Sequence, residues 1–429
     1  MLIEFSVTNF LSFGEKQTLS MVADKAKELE ETHTFQPIGK AKLPRLLHAA
    51  GVYGANASGK SNLLRAMKVM REIVLSSAKD SQAGELIQGI MPHALSEDEP
   101  TEFEIIFIAN DVRYQYGFAA TRQRITEEWL FAFPSGRSQQ WLSRVYNVDS
   151  QEYQWLINAT QVKGERRELW KKSTRDNALF LSTAAQLNSE QFLVILAWFR
   201  KNLEVGATNQ ISPVKTFELC KHHEGKRKIL QWMLAADMSI NDIEFAEKPF
   251  TFDMLPNDFP VELKQLILQN LPNDAKKAAF FAKIKFSHKT SSGKEFQLPI
   301  SLESEGTRRL FESAGVWLDV LEQGQVICID ELESSLHPLL TRYIISLFHN
   351  PEMNRNHAQL IFTTHDTTVL DNELLRRDQI WFVEKDVDQA TQLYPLSDFS
   401  PRKDEALQKG YLQGRYGALP YISSPNWLK

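Results

Sequence analysis

Alternating apolar and polar positions at the start of the chain predict two paired β-strands. The first carries its apolar residues at Leu2, Ile3, Phe5 and Val7. The second spans residues 17–22, and Gly14 marks the hairpin turn between them. A period of two is typical of a strand with one buried face. The polar, proline-containing stretch 24–44 predicts a surface connection.

A strand–loop–helix unit is predicted between residues 46 and 77. Residues 46–53 are apolar enough for a buried strand. After residue 61 the apolar positions recur every three or four residues, which is the spacing of one buried helix face. They are Leu63, Leu64, Met67, Met70, Ile73 and Val74.

The middle of the chain changes from strand patterns to helix patterns. Alternation predicts strands around residues 103–107, 112–118, 125–133, 141–146 and 153–157, with turn signals at Asn110-Asp111 and at residues 134–136. We expect this antiparallel region to pack on the sheet of the strand–loop–helix unit. Residues 165–250 and 261–271 carry apolar faces at helical spacing. No heptad repeat is sustained, which argues against a long coiled-coil arm.

Composition narrows the classes of function. The chain has 429 residues, of which 43% are hydrophobic and 24% charged, and its formal net charge is −5. This charge excludes a globally basic DNA-binding protein, but it does not exclude a local basic patch. The two cysteines, Cys220 and Cys328, suggest neither a disulfide framework nor a structural zinc site. Without a signal-peptide pattern or a long apolar run, we expect a cytoplasmic protein that makes no membrane contact.

The most basic stretch lies between residues 276 and 294. Its members are Lys276, Lys277, Lys283, Lys285, His288, Lys289 and Lys294. A solvated strand or loop face is the favoured interpretation, and contact with nucleic acid is the alternative.

The loop at residues 54–61 fits the pattern of a glycine, four residues, then glycine, lysine and serine. It lies between a predicted strand and the N-terminus of a predicted helix, where backbone N–H groups and the helix dipole face a phosphate. Lys60 would reach the β- and γ-phosphates of ATP, and the Ser61 hydroxyl would be a ligand of Mg²⁺. The predicted nucleotide-binding residues are Gly54, Asn56, Ala57, Ser58, Gly59, Lys60, Ser61 and Asn62.

A second apolar strand, residues 325–331, ends in the carboxylates Asp330 and Glu331. Asp330 would hold Mg²⁺ through its water shell opposite Ser61, and Glu331 would orient an attacking water. Another apolar strand, 359–364, ends in His365. An isolated histidine is more often structural, but its position one strand beyond the two carboxylates favours a functional role.

A turn at residues 304–307, Ser-Glu-Gly-Thr, opens a predicted helix that runs to about Leu321. Such a turn provides a second anion-binding helix terminus. A simple N-cap is the alternative, and for the turn taken alone it is the better one.

This ordered set of motifs resembles the ABC-type ATPase family, in the branch that contains SMC, RecF and OLD-like proteins. The matching segments are residues 54–61 for the Walker A loop, 304–307 for the signature, Asp330-Glu331 for Walker B and its glutamate, 335–337 for the D-loop, and His365 for the switch histidine. The opening residues 5–13 are also similar to this branch. The ending, 411–420, is similar to stand-alone bacterial defence ATPases of the RloA, AbiL, PtuA and AriA kind.

The resemblance implies an α/β fold: an ABC-type P-loop ATPase head with a mixed central sheet, an antiparallel β subdomain and a helical insertion. The corresponding segments would be an N-terminal lobe at 1–164, the insertion at 165–295 and a C-terminal lobe at 296–429. Gln186 is the candidate for the glutamine loop. Glu303 stands before Ser304 where better-known transporters have leucine.

The resemblance further implies a head-to-tail dimer around ATP and Mg²⁺, or a higher oligomer built from it. ATP held by Lys60 and Ser61 of one protomer would be covered by Ser304 and Gly306 of the other, with Ser335 in the D-loop. Glu331 and His365 would be the catalytic residues, with His365 contacting the γ-phosphate.

OLD-type proteins carry a C-terminal Toprim nuclease, but only 64 residues follow His365. We therefore expect an ATPase without a nuclease domain of its own. The first hypothesis is a sensor or regulator in anti-phage defence that controls a separately encoded nuclease or toxin. The second is a RecF- or SMC-like ATPase that acts directly on DNA. A transporter-coupled ATPase is the least favoured, because nothing resembles a coupling segment.

Overall fold

The structure is a computed structural model that describes residues 1–38, 43–164, 166–207, 211, 213–236, 240–245, 284–402 and 405–420. The helix predicted at 261–271 lies outside the described residues, as do Lys276, Lys277 and Lys283 of the basic stretch.

The strands, in chain order, are β1 Leu2–Thr8, β2 Gln17–Ser20, β3 Thr34–Phe35, β4 Leu46–Leu47, β5 Ala49–Gly54, β6 Thr101–Ala109, β7 Val112–Ala120, β8 Ile125–Phe133, β9 Gln139–Asn147, β10 Glu152–Ile157, β11 Leu203–Ala207, β12 Asp242–Phe245, β13 Ile284–Lys289, β14 Glu295–Pro299, β15 Val326–Asp330, β16 Gln359–Thr363, β17 Ile380–Lys385 and β18 Thr391–Pro395. The helices are α1 Glu30–His33, α2 Lys60–Ser76, α3 Arg167–Ser173, α4 Phe180–Gln186, α5 Glu190–Lys201, α6 Val214–Cys220, α7 His223–Ala235, α8 Glu305–Gln323, α9 Pro338–His349 and α10 Leu407–Leu412. Short 3₁₀ turns occupy Ile300–Leu302, Thr367–Val369, Arg377–Gln379 and Leu396–Phe399.

The chain divides into two compact units. Unit 1 comprises Met1–Ala207, Val320–Glu333 and Ile344–Lys429, and unit 2 comprises Thr208–Asp319 and Ser334–Tyr343.

Unit 1 contains a mixed central sheet with the strand order β11-β15-β16-β5-β17-β18. Strands β11, β15, β16, β5 and β17 run parallel to one another, and β18 pairs antiparallel with β17. Because parallel strands end at the same edge of a sheet, the carboxyl ends of β5, β15, β16 and β17 meet there. The two sequence motifs that end in Gly54 and in Asp330 are brought together by this topology.

A second, antiparallel sheet in unit 1 has the order β10-β9-β8-β7-β6-β1-β2. The predicted hairpin between β1 and β2 and the predicted strands of residues 101–157 are confirmed. At the predicted turn between β6 and β7, Asn110 and Asp111 have φ angles of 47° and 60°. Asparagine and aspartate tolerate this left-handed conformation, which is the one that two-residue hairpins need.

Helix α2 joins the two sheets into one apolar core. The predicted apolar face of this helix is buried, including Leu63, Met67 and Val74. It packs in a continuous cluster with Val52 and Cys328 of the central sheet and with aromatic residues of β6 and β7. A fully buried side chain of this size contributes about 1.5–3 kcal/mol by leaving water. The expected packing of the antiparallel region onto the central sheet is therefore observed, with α2 in the shared core.

The described part of residues 165–250 is mostly helical, as predicted, but two strands interrupt it. Residues Leu203–Ala207 form β11, which pairs in parallel with β15 at the edge of the central sheet. Residues Asp242–Phe245 form β12 in unit 2, which pairs with β13. Both pairings join segments distant in sequence, and such tertiary context overrides local helix propensity.

Unit 2 contains the three-stranded sheet β12-β13-β14 together with α6, α7 and most of α8. Its core includes Phe311 of α8, whose ring lies 5.0 Å from that of Phe286 and 5.9 Å from that of Phe217. Across the described part of the chain, no helix combines the length and the apolar character that crossing a bilayer requires.

Candidate functional site

The phosphate-binding loop connects β5 to α2, and its two glycines are required by close approach of neighbouring strands. A Cβ on Gly54 would lie 2.4 Å from the carbonyl oxygen of Val383 in β17. A Cβ on Gly59 would lie 2.3 Å from Oγ1 of Thr391 in β18, and Gly59 has a φ of 116°. Such contacts are too short for any side chain. The loop therefore packs directly against β17 and β18, and α2 begins where the loop ends.

The Lys60 side chain is folded back onto the loop that precedes it. Its Nζ donates hydrogen bonds to the carbonyl oxygens of Gly54 (2.8 Å) and Ala55 (2.9 Å). Only 5% of the residue is exposed. This burial lowers the pKa of Lys60 to about 8, while Asp330, Glu333 and Glu331 oppose the shift. A buried ammonium group at a helix N-terminus fits an anionic ligand, because both supply positive charge to it.

Ser61 and Asp330 meet at the point where a metal ion is expected. The Ser61 hydroxyl donates to Asp330 Oδ1 at 3.1 Å, although 269 residues separate the two in sequence. One hydroxyl and one carboxylate beside a phosphate loop is a donor set that fits Mg²⁺, which takes its other ligands from water and nucleotide phosphates. Within the described ranges there is no cluster of three or more His, Cys, Asp or Glu side chains able to hold a metal alone.

A cavity of about 560 Å³ opens beside the loop. Its lining residues are Ser12, Asn56, Ala57, Ser58, Gly59, Lys60, Ser61, Asn62, Glu331, His365 and Lys385. The predicted Walker A residues other than Gly54 thus share one cavity with Glu331 and His365, whereas Gly54 and Asp330 are not among its lining residues. A concave site with a few convergent polar groups is the usual form of a ligand pocket.

Glu331 and His365 are each held through their backbones. Glu331 adopts a left-handed conformation with φ of 52°, which is unfavourable for a residue with a side chain. Its N–H donates to Thr363 Oγ1 at 2.9 Å. The N–H of His365 donates to Glu333 Oε1 at 2.7 Å. The positions of both side chains at the cavity therefore depend on two neighbours, Thr363 and Glu333, that the sequence analysis did not single out.

The structure adds a further group of polar contacts behind the loop. Asn62 Nδ2 donates to Ser12 Oγ at 2.8 Å, and Thr391 Oγ1 lies 2.8 Å from both Ser12 Oγ and the Ser58 carbonyl oxygen. Ser12 belongs to the opening motif that the sequence analysis noted. Nothing in the local sequence marks Thr391 or Lys385, because they come close to the phosphate loop only through the pairing of β17 with β5 and of β18 with β17.

Four predicted residues lie elsewhere. Gln186 ends α4, is exposed, and is not among the residues that line the cavity. Ser304, Gly306 and Ser335 belong to unit 2.

In unit 2, the Ser304 hydroxyl accepts a hydrogen bond from the Thr307 N–H at 3.1 Å, so it acts as an N-cap of α8. The Ser335 hydroxyl donates to Glu305 Oε1 at 3.2 Å, which links the D-loop segment to the signature segment within the chain. The nucleotide-contacting roles of Ser304, Gly306, Ser335 and Gln186 stay predictions.

The fold and the site together define a P-loop fold with a candidate nucleotide site: a mixed sheet, a phosphate loop before α2, and a carboxylate-ending strand in the same sheet. Residues 49–371 match the protein family described as "AAA domain, putative AbiEii toxin, Type IV TA system", and the chain belongs to this family. No curated protein matches the sequence.

Two solved structures are similar in fold over most of the chain. The SMC head domain from Thermotoga maritima is 12% identical with a TM-score of 0.40, over 92% of this chain and 98% of that one. The SMC head bound to the C-winged helix domain of ScpA is 14% identical with a TM-score of 0.41, over 92% of this chain and 97% of that one.

Proposed function

We propose that the protein binds and hydrolyses ATP with Mg²⁺ in the cavity at residues 54–62. The observation that carries the proposal is the convergence of the phosphate loop, Glu331 and His365 on one cavity, although they come from three separate segments of the chain. Asp330 is tied to the same loop by the hydrogen bond from Ser61. Membership of an AAA-domain family supports the same chemistry.

Each of these side chains has a role that its geometry suits. Lys60 and the N-terminal N–H groups of α2 bind the phosphates. Ser61 and Asp330 hold Mg²⁺, which supplies charge stabilisation at the phosphates when bound. Glu331 accepts a proton from, and orients, the attacking water. His365, whose N–H donates to Glu333, would contact the γ-phosphate.

ATP binding would drive dimerisation in this proposal. Two protomers would associate head to tail, and Ser304 and Gly306 of one would cover ATP held by the other, with Ser335 near the shared boundary. The exposure of Ser304 supports this arrangement, because an exposed residue is accessible to a partner copy, whereas Gly306 is half-buried.

Two substitutions test the ATPase and the dimer together. Glu331→Gln should bind ATP, hydrolyse it at least about tenfold more slowly, and form a dimer in light scattering only when ATP and Mg²⁺ are present. Lys60→Ala should lose nucleotide binding and stay monomeric. Full-rate hydrolysis by Glu331→Gln would remove Glu331 from its role, and unchanged nucleotide affinity in Lys60→Ala would overturn the loop assignment.

At the biological level we infer a sensor or regulator that controls a separately encoded nuclease or toxin in anti-phage defence. The family description, which names a putative AbiEii toxin and a type IV toxin–antitoxin system, supports this inference. A tagged chain purified from its native host, with and without ATP, should retain a stoichiometric nuclease-like or toxin-like protein.

The alternative is direct action on DNA, for which the basic stretch would be the contact surface. Two of its described members have acidic neighbours, since His288 Nε2 lies 2.7 Å from Glu303 Oε1 and Lys289 Nζ lies 3.9 Å from Glu295 Oε1. This pairing favours a solvated face over a phosphate-binding one. A partner-free preparation that retains DNA, with an affinity that falls steeply as salt rises, would favour the alternative instead.

A further inference from the structure

Thr363, the last residue of β16, bonds to three consecutive residues at the end of β15. Its Oγ1 donates to Asp330 Oδ1 at 2.6 Å and accepts from the Glu331 N–H at 2.9 Å. Its carbonyl oxygen accepts from the Leu332 N–H at 3.1 Å. Thr363 itself is fully buried. No other residue type except serine offers a short hydroxyl that can donate to a carboxylate and accept from an adjacent N–H at once.

The reason for this arrangement lies in the ladder between the two strands. Regular pairing of β15 with β16 ends at Ile329 and Phe362, so residues 330 and 363 are the next opposed positions. Glu331 then turns into the left-handed region with φ of 52°. A regular ladder cannot continue through that turn, and the Thr363 side chain replaces the missing backbone partner of the Glu331 N–H. The left-handed turn persists because this bond and the Leu332 bond hold it on both sides.

We propose that Thr363 is a positioning residue for both functional carboxylates of the site. The hydroxyl hydrogen fixes the rotamer of Asp330, whose Oδ1 also accepts from Ser61. The hydroxyl oxygen fixes the backbone turn that directs Glu331 to the cavity. One side chain thus couples the Mg²⁺-holding group to the water-orienting group. The inference rests on the proposed ATPase function and adds to it a residue that neither touches nucleotide nor lines the cavity.

Thr363→Val tests the proposal, because valine fills the same volume without the hydroxyl. We expect kcat to fall by about tenfold to a hundredfold, since small displacements of catalytic groups have effects of this size. The affinity for a fluorescent ATP analogue in EDTA should stay within about twofold of wild type, because the phosphate loop is untouched. Adding Mg²⁺ should raise the affinity for the ATP analogue by a factor at least about threefold smaller than in wild type, because Asp330 has lost its hydrogen bond from Thr363.

Two further variants separate positioning from stability. Thr363→Ser restores the hydroxyl and should recover kcat and the Mg²⁺ effect to within about threefold of wild type. Thr101→Val is a matched control: Thr101 is also fully buried, but its hydroxyl donates to the Asn9 carbonyl oxygen in the antiparallel sheet. It should lower the melting temperature comparably while leaving kcat and the Mg²⁺ effect unchanged.

The outcomes distinguish this inference from the function on which it rests. A wild-type chain that binds no ATP analogue would overturn the ATPase proposal and this one with it. A wild type that binds and hydrolyses ATP, beside a Thr363→Val variant with unchanged kcat and an unchanged Mg²⁺ effect, would overturn only the role of Thr363. Equal loss in Thr363→Ser and Thr363→Val would also overturn it, since the hydroxyl would then not be the cause.

Discussion

Acidification from pH 7.5 to pH 5 should destabilise unit 1 through a group of packed histidines, of which His33, His48 and His349 are buried and His357 is half-buried. The rings of His33 and His349 stack with their centroids 3.6 Å apart. The ring of Phe35 stacks on those of His48 and His357, at 4.9 Å and 4.6 Å. Imidazoles that face one another in this way cannot all be charged, because each cation would be desolvated beside another.

The size of the effect follows from the pKa values. Burial is the largest cause that lowers the pKa of His33 and of His48 from 6.5 to about 4. Burial lowers the pKa of His349 and His357 as well. Well above pH 6.5 these histidines are neutral in both the folded and the unfolded chain, and the full stability is present. As the pH falls from 6.5 towards 4, the unfolded chain takes up protons that the folded chain does not, so stability is lost.

At pH 5 a histidine shifted in this way costs the folded state about 2 kcal/mol, so His33 and His48 together cost about 4 kcal/mol. This is a large share of the stability of an ordinary domain. Neighbouring charges do not change the direction of the pKa shift of His33, because Arg376 lowers this pKa and Asp378 raises it.

Urea unfolding at pH 7.5 and pH 5, followed by circular dichroism, measures the loss. His33→Gln is the informative variant, because a glutamine Nε2 can keep the hydrogen bond that His33 Nε2 makes to the Leu374 carbonyl oxygen at 3.1 Å. The loss between the two pH values should be smaller in this variant by about 2 kcal/mol. His223→Gln, at an exposed histidine, is the control and should lose as much as wild type. An equal loss in His33→Gln and wild type would refute the argument.

Two further substitutions test the phosphate loop and the antiparallel sheet. Gly59→Ala should weaken ATP binding by about tenfold or more in fluorescence titration, because its Cβ would collide with Thr391; Gly84→Ala, also at a positive φ but in open space, should bind normally. Glu128→Ala should lower the free energy of unfolding by about 3–5 kcal/mol, because it leaves the buried Arg144 guanidinium without its carboxylate partner. In the structure Arg144 Nη1 lies 3.9 Å from Glu128 Oε2, and both side chains are buried. Glu127→Ala, at the exposed neighbour, should change it by less than about 0.5 kcal/mol, and similar losses in the two would contradict the buried-pair argument.

Elements whose signal is local were predictable from the sequence. The strand pattern from Thr101 to Ile157, the turn at Asn110-Asp111 and the apolar face of α2 all depend on residues within one element. Strand β11 was not predictable in this way. Leu203–Ala207 becomes a strand because β15, more than 100 residues later, offers it a parallel partner, with Val205 opposite Cys328.

The same distinction applies to the candidate site. The phosphate loop and the Asp330-Glu331 pair were recognisable because each is a contiguous motif with the correct flanking elements. Ser12 and Lys385 line the cavity, and Thr391 bonds to the loop beside it, only because the fold brings distant segments together, as when Val383 of β17 lies opposite Gly54. No spacing in the sequence encodes those contacts.

Thr363 shows why the arrangement of a site is harder to predict than its members. In the sequence it is one of two adjacent threonines before His365, and nothing distinguishes it from Thr364. In the structure the Thr364 hydroxyl accepts from the Asp366 N–H at 3.0 Å. The Thr363 hydroxyl instead donates to the Asp330 carboxylate and accepts from the Glu331 N–H. The register of β16 against β15 makes this difference, because a shift of one residue would turn the other threonine to this position. Motifs therefore identify the groups that act on the nucleotide, and the strand register determines which neighbours hold them in place.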